Sequence, residues 1–187
     1  MKLENKRVAI LATDGFEKSE LFEPLKALKN EGADVDIISI KKGEIKSWDD
    51  KNWGESISVT KLVKDVKESD YNALVLPGGV ANPDTLRTDE NALQFIRNFF
   101  KSHKPVAAIC HAPWLLISAG VIENREVTSF SSIKDDLLNA GATWIDKEVV
   151  VDNGLVTSRN PKDLPAFINK LIEEIREGKH DNQVMSA

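Results

Sequence analysis

The 187-residue chain is short of several features that would assign a class at once. Its single cysteine, Cys110, leaves no internal disulfide to form and suits a reducing cytoplasm, the expected location. No apolar run approaches the roughly 18 residues of a membrane-spanning helix. The opening MKLENKRVAILAT has no small-residue cleavage site, so no signal peptide and no membrane partner are expected. Basic residues are outnumbered, 25 Lys and Arg against 30 Asp and Glu, and no basic stripe occurs. That balance argues against sequence-specific nucleic-acid binding. Neither G-x-G-x-x-G nor the Walker spacing is present, so the glycine pairs do not read as phosphate cradles. No His/Cys/Asp cluster has ligand spacing, and no metal or cofactor is expected.

What remains is an ordinary globular composition, 41% apolar and 29% charged, read as one domain over 1–187 with an ordered part of about 5–177 and a polar tail at 178–187. Strand-length apolar runs alternate with helix-period segments. RVAILAT (7–13) and DVDIISI (34–40) predict strands, with a helix over 19–32 between them carrying Leu21, Leu25 and Leu28 at helical spacing. YNALVLPGG (71–79) and KPVAAIC (104–110) are continuous apolar runs, the mark of parallel strands buried on both faces. Between them 91–101 has a helical apolar face. The pattern predicts an α/β fold, a doubly wound, mostly parallel sheet sandwiched by helices. Two β excursions are expected beside it: a polar hairpin over 42–60, and a hairpin turning at Asn153-Gly154. Asn160-Pro161 opens a last helix through Glu177, with Phe167, Leu171 and Ile175 on one face.

Three predicted strand ends carry reactive chemistry. Cys110 ends one strand where a helix begins near His111, and in open α/β sheets ligands bind outside the carboxyl ends of strands. Such a turn resembles a nucleophile elbow, with a helix N-terminus to favour a thiolate. The plain alternative is an inert buried thiol, since free cysteine is among the most buried residue types. Adjacency to His111 does not decide it, because neighbours on a turn need not face each other. LPGGVANPD (76–84) ends a second strand, and backbone N–H groups at Gly78-Gly79, or one of them with the His111 amide, would form an oxyanion hole. A tight turn is its plain reading. TDGFEKSELFEP (13–24) ends a third and spaces Glu17, Glu20 and Glu23 three apart, either as a solvated acidic first turn or with one carboxylate beside the thiol.

With those ends in the order Glu, Gly-Gly and Cys-His, the chain resembles the PfpI/ThiJ family of class I glutamine-amidotransferase-like proteins, in its bacterial and archaeal stress-protein branch. GFEKSEL, ALVLPGG, PVAAICHAPWLLISAGVI, IKDDLLNAGATWIDKEVVVD and LVTSRNPKDLPAF carry the resemblance, from about Arg7 to Glu174. It implies a flavodoxin-like fold with a nucleophile elbow, Cys110 as nucleophile, Glu20 as the acid hydrogen-bonded to it, and His111 beside it. It also implies Asp84 as a third member supplied by a neighbouring subunit, an oxyanion hole from the Gly79 and His111 amides, and supporting places for Glu17 and Gly78. The small elbow position two after the cysteine is Ala112. The activity implied is a deglycase or cofactor-independent glyoxalase acting on glyoxal, methylglyoxal and their early adducts on protein or nucleotide groups. Alternatives are an intracellular cysteine peptidase, or a redox sensor or chaperone with an oxidisable Cys110. A homodimer or hexamer with the site near the subunit interface is the assembly implied.

Overall fold

The computed structural model describes residues 1–183. In chain order its elements are β1 (Arg7–Leu11), β2 (Phe16–Glu17), α1 (Lys18–Asn30), β3 (Asp34–Ser39), β4 (Glu44–Asp49), β5 (Asn52–Ser58), β6 (Lys61–Leu62), β7 (Ala73–Leu76), α2 (Ala81–Leu86), α3 (Glu90–Lys101), β8 (Val106–Ile109), α4 (Pro113–Ala119), β9 (Glu126–Val127), α5 (Lys134–Asn139), β10 (Thr143–Trp144), β11 (Val149–Asp152), β12 (Leu155–Ser158) and α6 (Leu164–Glu177). The central sheet runs β11-β12-β8-β7-β1-β3-β6. Its neighbours pair in parallel except at the β11–β12 edge hairpin. That is the doubly wound architecture the alternating runs predict.

Each central strand is buried on both faces because its neighbours in chain go to opposite layers. Ala9 and Leu11 of β1, Leu74 and Leu76 of β7, and Val106 and Ala108 of β8 join one core with Phe95, Ile96, Phe99 and Leu116 from α3 and α4. The alternate residues, Val8 and Ile10, Ala73 and Val75, Ala107 and Ile109, join the other with Leu21, Leu28, Phe167 and Leu171 from α1 and α6. With a side-chain period of two, a continuous apolar run is what a strand between two helical layers needs.

From β1 the chain builds outward to β3 and β6 on one side, and then returns through β7 and β8 on the other. The strand order therefore switches between β1 and β7, where a crevice opens at the carboxyl ends. The strands stop short of the ends expected for them. The last residues of each run form the loops that line this crevice.

The 42–60 excursion is a hairpin of β4 and β5, with β2 added in parallel to β4. At Asn153-Gly154 both residues have positive φ, 44° and 82°, as a two-residue turn matched to strand twist demands. The chain ends are held more closely than expected. Leu3 is fully buried, and its N–H donates to Glu31 O at 2.9 Å. Over 178–183 the polar tail folds back: His180 N–H donates to His103 O at 2.9 Å, and Gln183 is buried. Residues 184–187 of that expected tail lie outside the described residues.

Phe99 is fully buried and meets Phe95 edge-to-face at 5.1 Å. Phe99→Ala should lower stability by about 3–5 kcal/mol, read from the urea midpoint; a loss below about 1 kcal/mol would contradict this packing.

Candidate active site

Cys110 is the first residue beyond β8 and adopts φ 64°, in the left-handed region that a non-glycine residue enters at a cost of about 1–2 kcal/mol. The surroundings over-determine it. Its N–H donates to Ser158 O at 3.0 Å, and its C=O accepts from Phe130 N–H at 2.9 Å. The strained position is the cysteine itself and not Ala112, which is helical at φ −57° and caps α4. Alanine is thus suited to its place, and the helix starts at Pro113, slightly later than expected.

The β7 turn supplies the opposite wall. A Cβ on Gly78 would lie 2.5 Å from Glu20 Oε2 and 2.7 Å from Cys110 Cβ. A Cβ on Gly79, whose φ is 78°, would collide with Gly15 O and come within 2.8 Å of Glu17 N. Both glycines are there because the β1 loop, α1 and the elbow close on this turn from three sides. Asn82 fastens it: fully buried, it donates from Nδ2 to Pro77 O at 2.9 Å and Gly78 O at 3.0 Å, and accepts from Thr13 N–H at 2.7 Å. Nothing in the sequence pattern singled out Asn82.

From the β1 side comes Glu20. Glu17 caps α1, its carboxylate accepting from Glu20 N–H at 2.8 Å and from Ser19 Oγ at 2.6 Å. That places Glu20 in the first turn, facing inward and fully buried. Its Oε2 accepts from Gly78 N–H at 2.9 Å. Its Oε1 has no partner of ordinary hydrogen-bond geometry among the described residues, while the carboxyl as a whole interacts with the Cys110 thiol. Burial above all, and then the charge of Glu17, push the Glu20 carboxyl up to about 8.

The thiol is pushed well above its usual range, first by burial and then by the charge of Glu20. Against this, the N–H groups of Gly79 and His111 reach the sulfur and favour its ionised form. Gly78 N–H is taken by Glu20, Gly79 N–H is shared between Glu20 and the sulfur, and His111 N–H faces the sulfur. Two buried acids side by side cannot both carry charge, so the site holds protons that a reaction can move.

His111 does face its neighbour. Its Nδ1 lies 3.2 Å from Cys110 Sγ, and its Nε2 lies 3.0 Å from Ser132 Oγ. The ring stacks on Phe130 at 4.8 Å and meets Trp114 edge-on at 5.2 Å, and burial lowers its basicity. The turn bends sharply enough to fold the adjacent side chains together, which adjacency in sequence left open. Ser132, twenty-one residues on, had no local signal.

Asp84 is exposed in the first turn of α2. With Gly15, Trp48, Trp53, Val80 and Ala81 it lines a surface cavity of about 520 Å³, and His111 of the same chain has other partners. Sequence spacing flagged no metal-ligand cluster. Among the described residues, however, Glu174, Glu177 and His180 bring ligand atoms within 4.8 Å of one another. They sit beyond the β11–β12 turn, at the amino ends of the parallel strands and opposite the site. No helix among the described residues is long and apolar enough to cross a membrane.

The sequence model of the DJ-1/PfpI family matches residues 6–174. Deglycase TK1284 of Thermococcus kodakarensis is 44% identical over 170 residues, covering 91% of this chain and 99% of that protein. Protein/nucleic acid deglycase 2 of Escherichia coli is 46% identical over 164 residues, covering 87% of this chain and 94% of that protein. Among solved structures, DJ-1beta of Drosophila melanogaster superposes with a TM-score of 0.83 at 27% identity, over 91% of this chain and 90% of that one.

Two outcomes follow from the geometry. Gly79→Ala should cost at least about 1–2 kcal/mol of stability and slow alkylation of Cys110 by iodoacetamide, because the turn must retreat from the β1 loop. For Glu20, a carboxyl raised to about 8 when folded binds its proton more tightly in the native chain than in the unfolded one. Its contribution is therefore complete below about pH 4.5 and is lost as pH rises through about 8. Denaturation midpoints between pH 5 and 9 should fall more steeply for the parent protein than for Glu20→Gln; parallel curves would contradict the assignment.

Proposed function

The chain belongs to the DJ-1/PfpI family, and on that footing we propose that it is a cytoplasmic cysteine hydrolase of carbonyl stress. Its activity is that of a deglycase or cofactor-independent glyoxalase on glyoxal, methylglyoxal and their early adducts with protein or nucleotide amines. The observation that carries the reading is the contact of the Cys110 thiol with a buried Glu20 carboxyl, opposite the Gly79 and His111 amides. A thiol next to a proton-holding acid and two fixed N–H donors suits addition to an aldehyde. The names of the T. kodakarensis and E. coli relatives, a deglycase and a protein/nucleic acid deglycase, support the deglycase activity.

In this mechanism the Cys110 S–H bond breaks and the sulfur bonds to the aldehyde carbon. The carbonyl oxygen, held by the two amides, takes up the proton of Glu20 while the thiol proton passes to His111, which gives a hemithioacetal and leaves Glu20 ionised. Glu20 then moves a proton from that carbon to the neighbouring carbonyl carbon, while the proton of the new hydroxyl passes to the neighbouring carbonyl oxygen. The result is the thioester of an α-hydroxy acid, which water cleaves to free the acid and restore the thiol. With an adducted amine, the sulfur bonds to the carbon that carries the nitrogen while the C–N bond breaks. The nitrogen takes up the thiol proton and leaves as the free amine, and the same hemithioacetal follows. The burial that raises both Cys110 and Glu20 keeps the resting site neutral, and the substrate carbonyl accepts the charge as it develops.

A second reading, an intracellular cysteine peptidase, is favoured by one feature. Asp84 stands exposed beside Trp48, Trp53 and Val80, all solvent-facing, as it would if a second copy covered that face and the acid entered the copy's site. In that arrangement a homodimer or hexamer supplies the acid to orient His111.

Purified protein should consume methylglyoxal and leave fluorescent casein intact. Cys110→Ala should abolish turnover, and Glu20→Gln should lower kcat by about 10²–10⁴-fold. Turnover that survives Cys110→Ala would contradict the mechanism, and casein cleavage without carbonyl turnover would establish the second reading. A gel-filtration mass of one chain would exclude a shared site.

A further inference from the structure

We propose that Ser132 is the positioning residue of the nucleophile: its hydroxyl oxygen accepts the Nε2 proton of His111 and so leaves the Nδ1 lone pair facing the Cys110 thiol. The inference rests on the reading of Cys110 as nucleophile. It concerns how the thiol loses its proton rather than what it then attacks.

Three observations carry it. The contacts Cys110 Sγ to His111 Nδ1, 3.2 Å, and His111 Nε2 to Ser132 Oγ, 3.0 Å, form a continuous relay within one chain. The ring between them has little freedom, being 8% exposed and held by Phe130 on its face and Trp114 on its edge. The segment that presents Ser132 is tied to the elbow itself. Phe130 N–H donates to Cys110 O at 2.9 Å, and Ile133 N–H closes a turn onto Phe130 O at 3.2 Å. The indole of Trp144 donates to Ser129 Oγ at 3.0 Å just before it. The backbone that strains Cys110 therefore also sets the distance to Ser132.

The charged groups on neighbouring elements are committed elsewhere. Glu20 of α1 acts on the sulfur and on Gly78 N–H. Asp136 of α5 accepts from Trp114 Nε1 at 2.7 Å, and Arg87, after α2, lies over the Trp114 ring while its Nε donates to Ser118 Oγ. Burial is the cause that lowers the basicity of His111, and no acid among the described residues opposes it. A neutral imidazole bears one N–H, and the protonated thiol needs an acceptor, so Nδ1 is the bare nitrogen and Nε2–H meets the serine oxygen. In the activating step the S–H bond breaks, an N–H bond forms at Nδ1, and the imidazolium keeps its Nε2–H bond to Ser132. The thiolate faces the Gly79 and His111 amides. Ser132 is exposed, so a hydroxyl that accepts from Nε2 is free to donate to solvent and the relay ends at the surface.

The test is the pH dependence of Cys110 alkylation by iodoacetamide, followed by intact mass on the parent chain, Ser132→Ala and Ser132→Thr. Ser132→Ala should slow alkylation at pH 7 by about threefold to tenfold, the range of one neutral hydrogen bond, and move the midpoint of the profile to higher pH. Ser132→Thr should restore both, and the parent rate should not change on dilution. Superposed parent and alanine profiles would overturn the proposal, as would a threonine variant no better than alanine or a parent rate that falls as the chain is diluted. Because the readout is alkylation, a failure to turn over methylglyoxal would count against the proposed activity and leave this assignment standing.

Discussion

Cys110 follows β8 in the left-handed region, and its backbone is held there from both sides, its N–H by Ser158 of β12 and its C=O by Phe130. The site follows from that constraint. A cysteine continuing the strand in extended form would point into one of the two helical layers and be inert. Turned through φ 64°, the same residue presents its sulfur to the crevice between β1, β7 and β8 and brings the His111 amide and ring around it. The strain of about 1–2 kcal/mol is small beside the burial of the strand that ends in it. The opposing wall can then come close only if it lacks side chains, which is why Gly78 and Gly79 stand where Glu20 and the β1 loop converge.

Closeness also decides the electrostatics. Removing water raises the Glu20 carboxyl and the Cys110 thiol together, because either charge alone is poorly solvated and the two repel. The amides of Gly79 and His111 work the other way and offer a place for negative charge that does not depend on solvent. A site of this kind is neutral at rest and ready to take one charge, whether on sulfur or on an oxygen delivered by substrate. Glu17 shapes it at one remove: as the cap of α1 it turns Glu20 inward, and as a nearby charge it helps keep Glu20 protonated.

Much of this was legible in residue order. The runs at 71–79 and 104–110 were readable as strands because burial on both faces removes the polar alternation that an exposed strand would show. Asn153-Gly154 was readable because its turn needs positive φ twice. Gly78, Gly79, Cys110 and one carboxylate among Glu17, Glu20 and Glu23 could be nominated because parallel topology sends the ends of neighbouring strands to one edge; the family resemblance singled out Glu20. What stayed hidden depended on distances across the fold. Asn82 and Ser132 act through contacts with residues far along the chain, and no local spacing marks them. Adjacency said nothing of whether His111 would face Cys110, since that depends on a backbone angle. The hold on the tail at 178–183 escaped a reading based on polarity, because its contacts with His103 and the Gly154 turn are made by backbone, by the His180 ring and by a buried glutamine.

The central claim is that Glu20 holds its proton at neutral pH beside the Cys110 thiol. An infrared difference spectrum between the parent protein and Glu20→Gln, taken in steps from pH 5 to 10, tests it most directly. The account predicts a protonated-carboxyl band belonging to Glu20 that is present at pH 7 and fades about pH 8. A Glu20 that is already ionised at pH 6, with no such band, would contradict it.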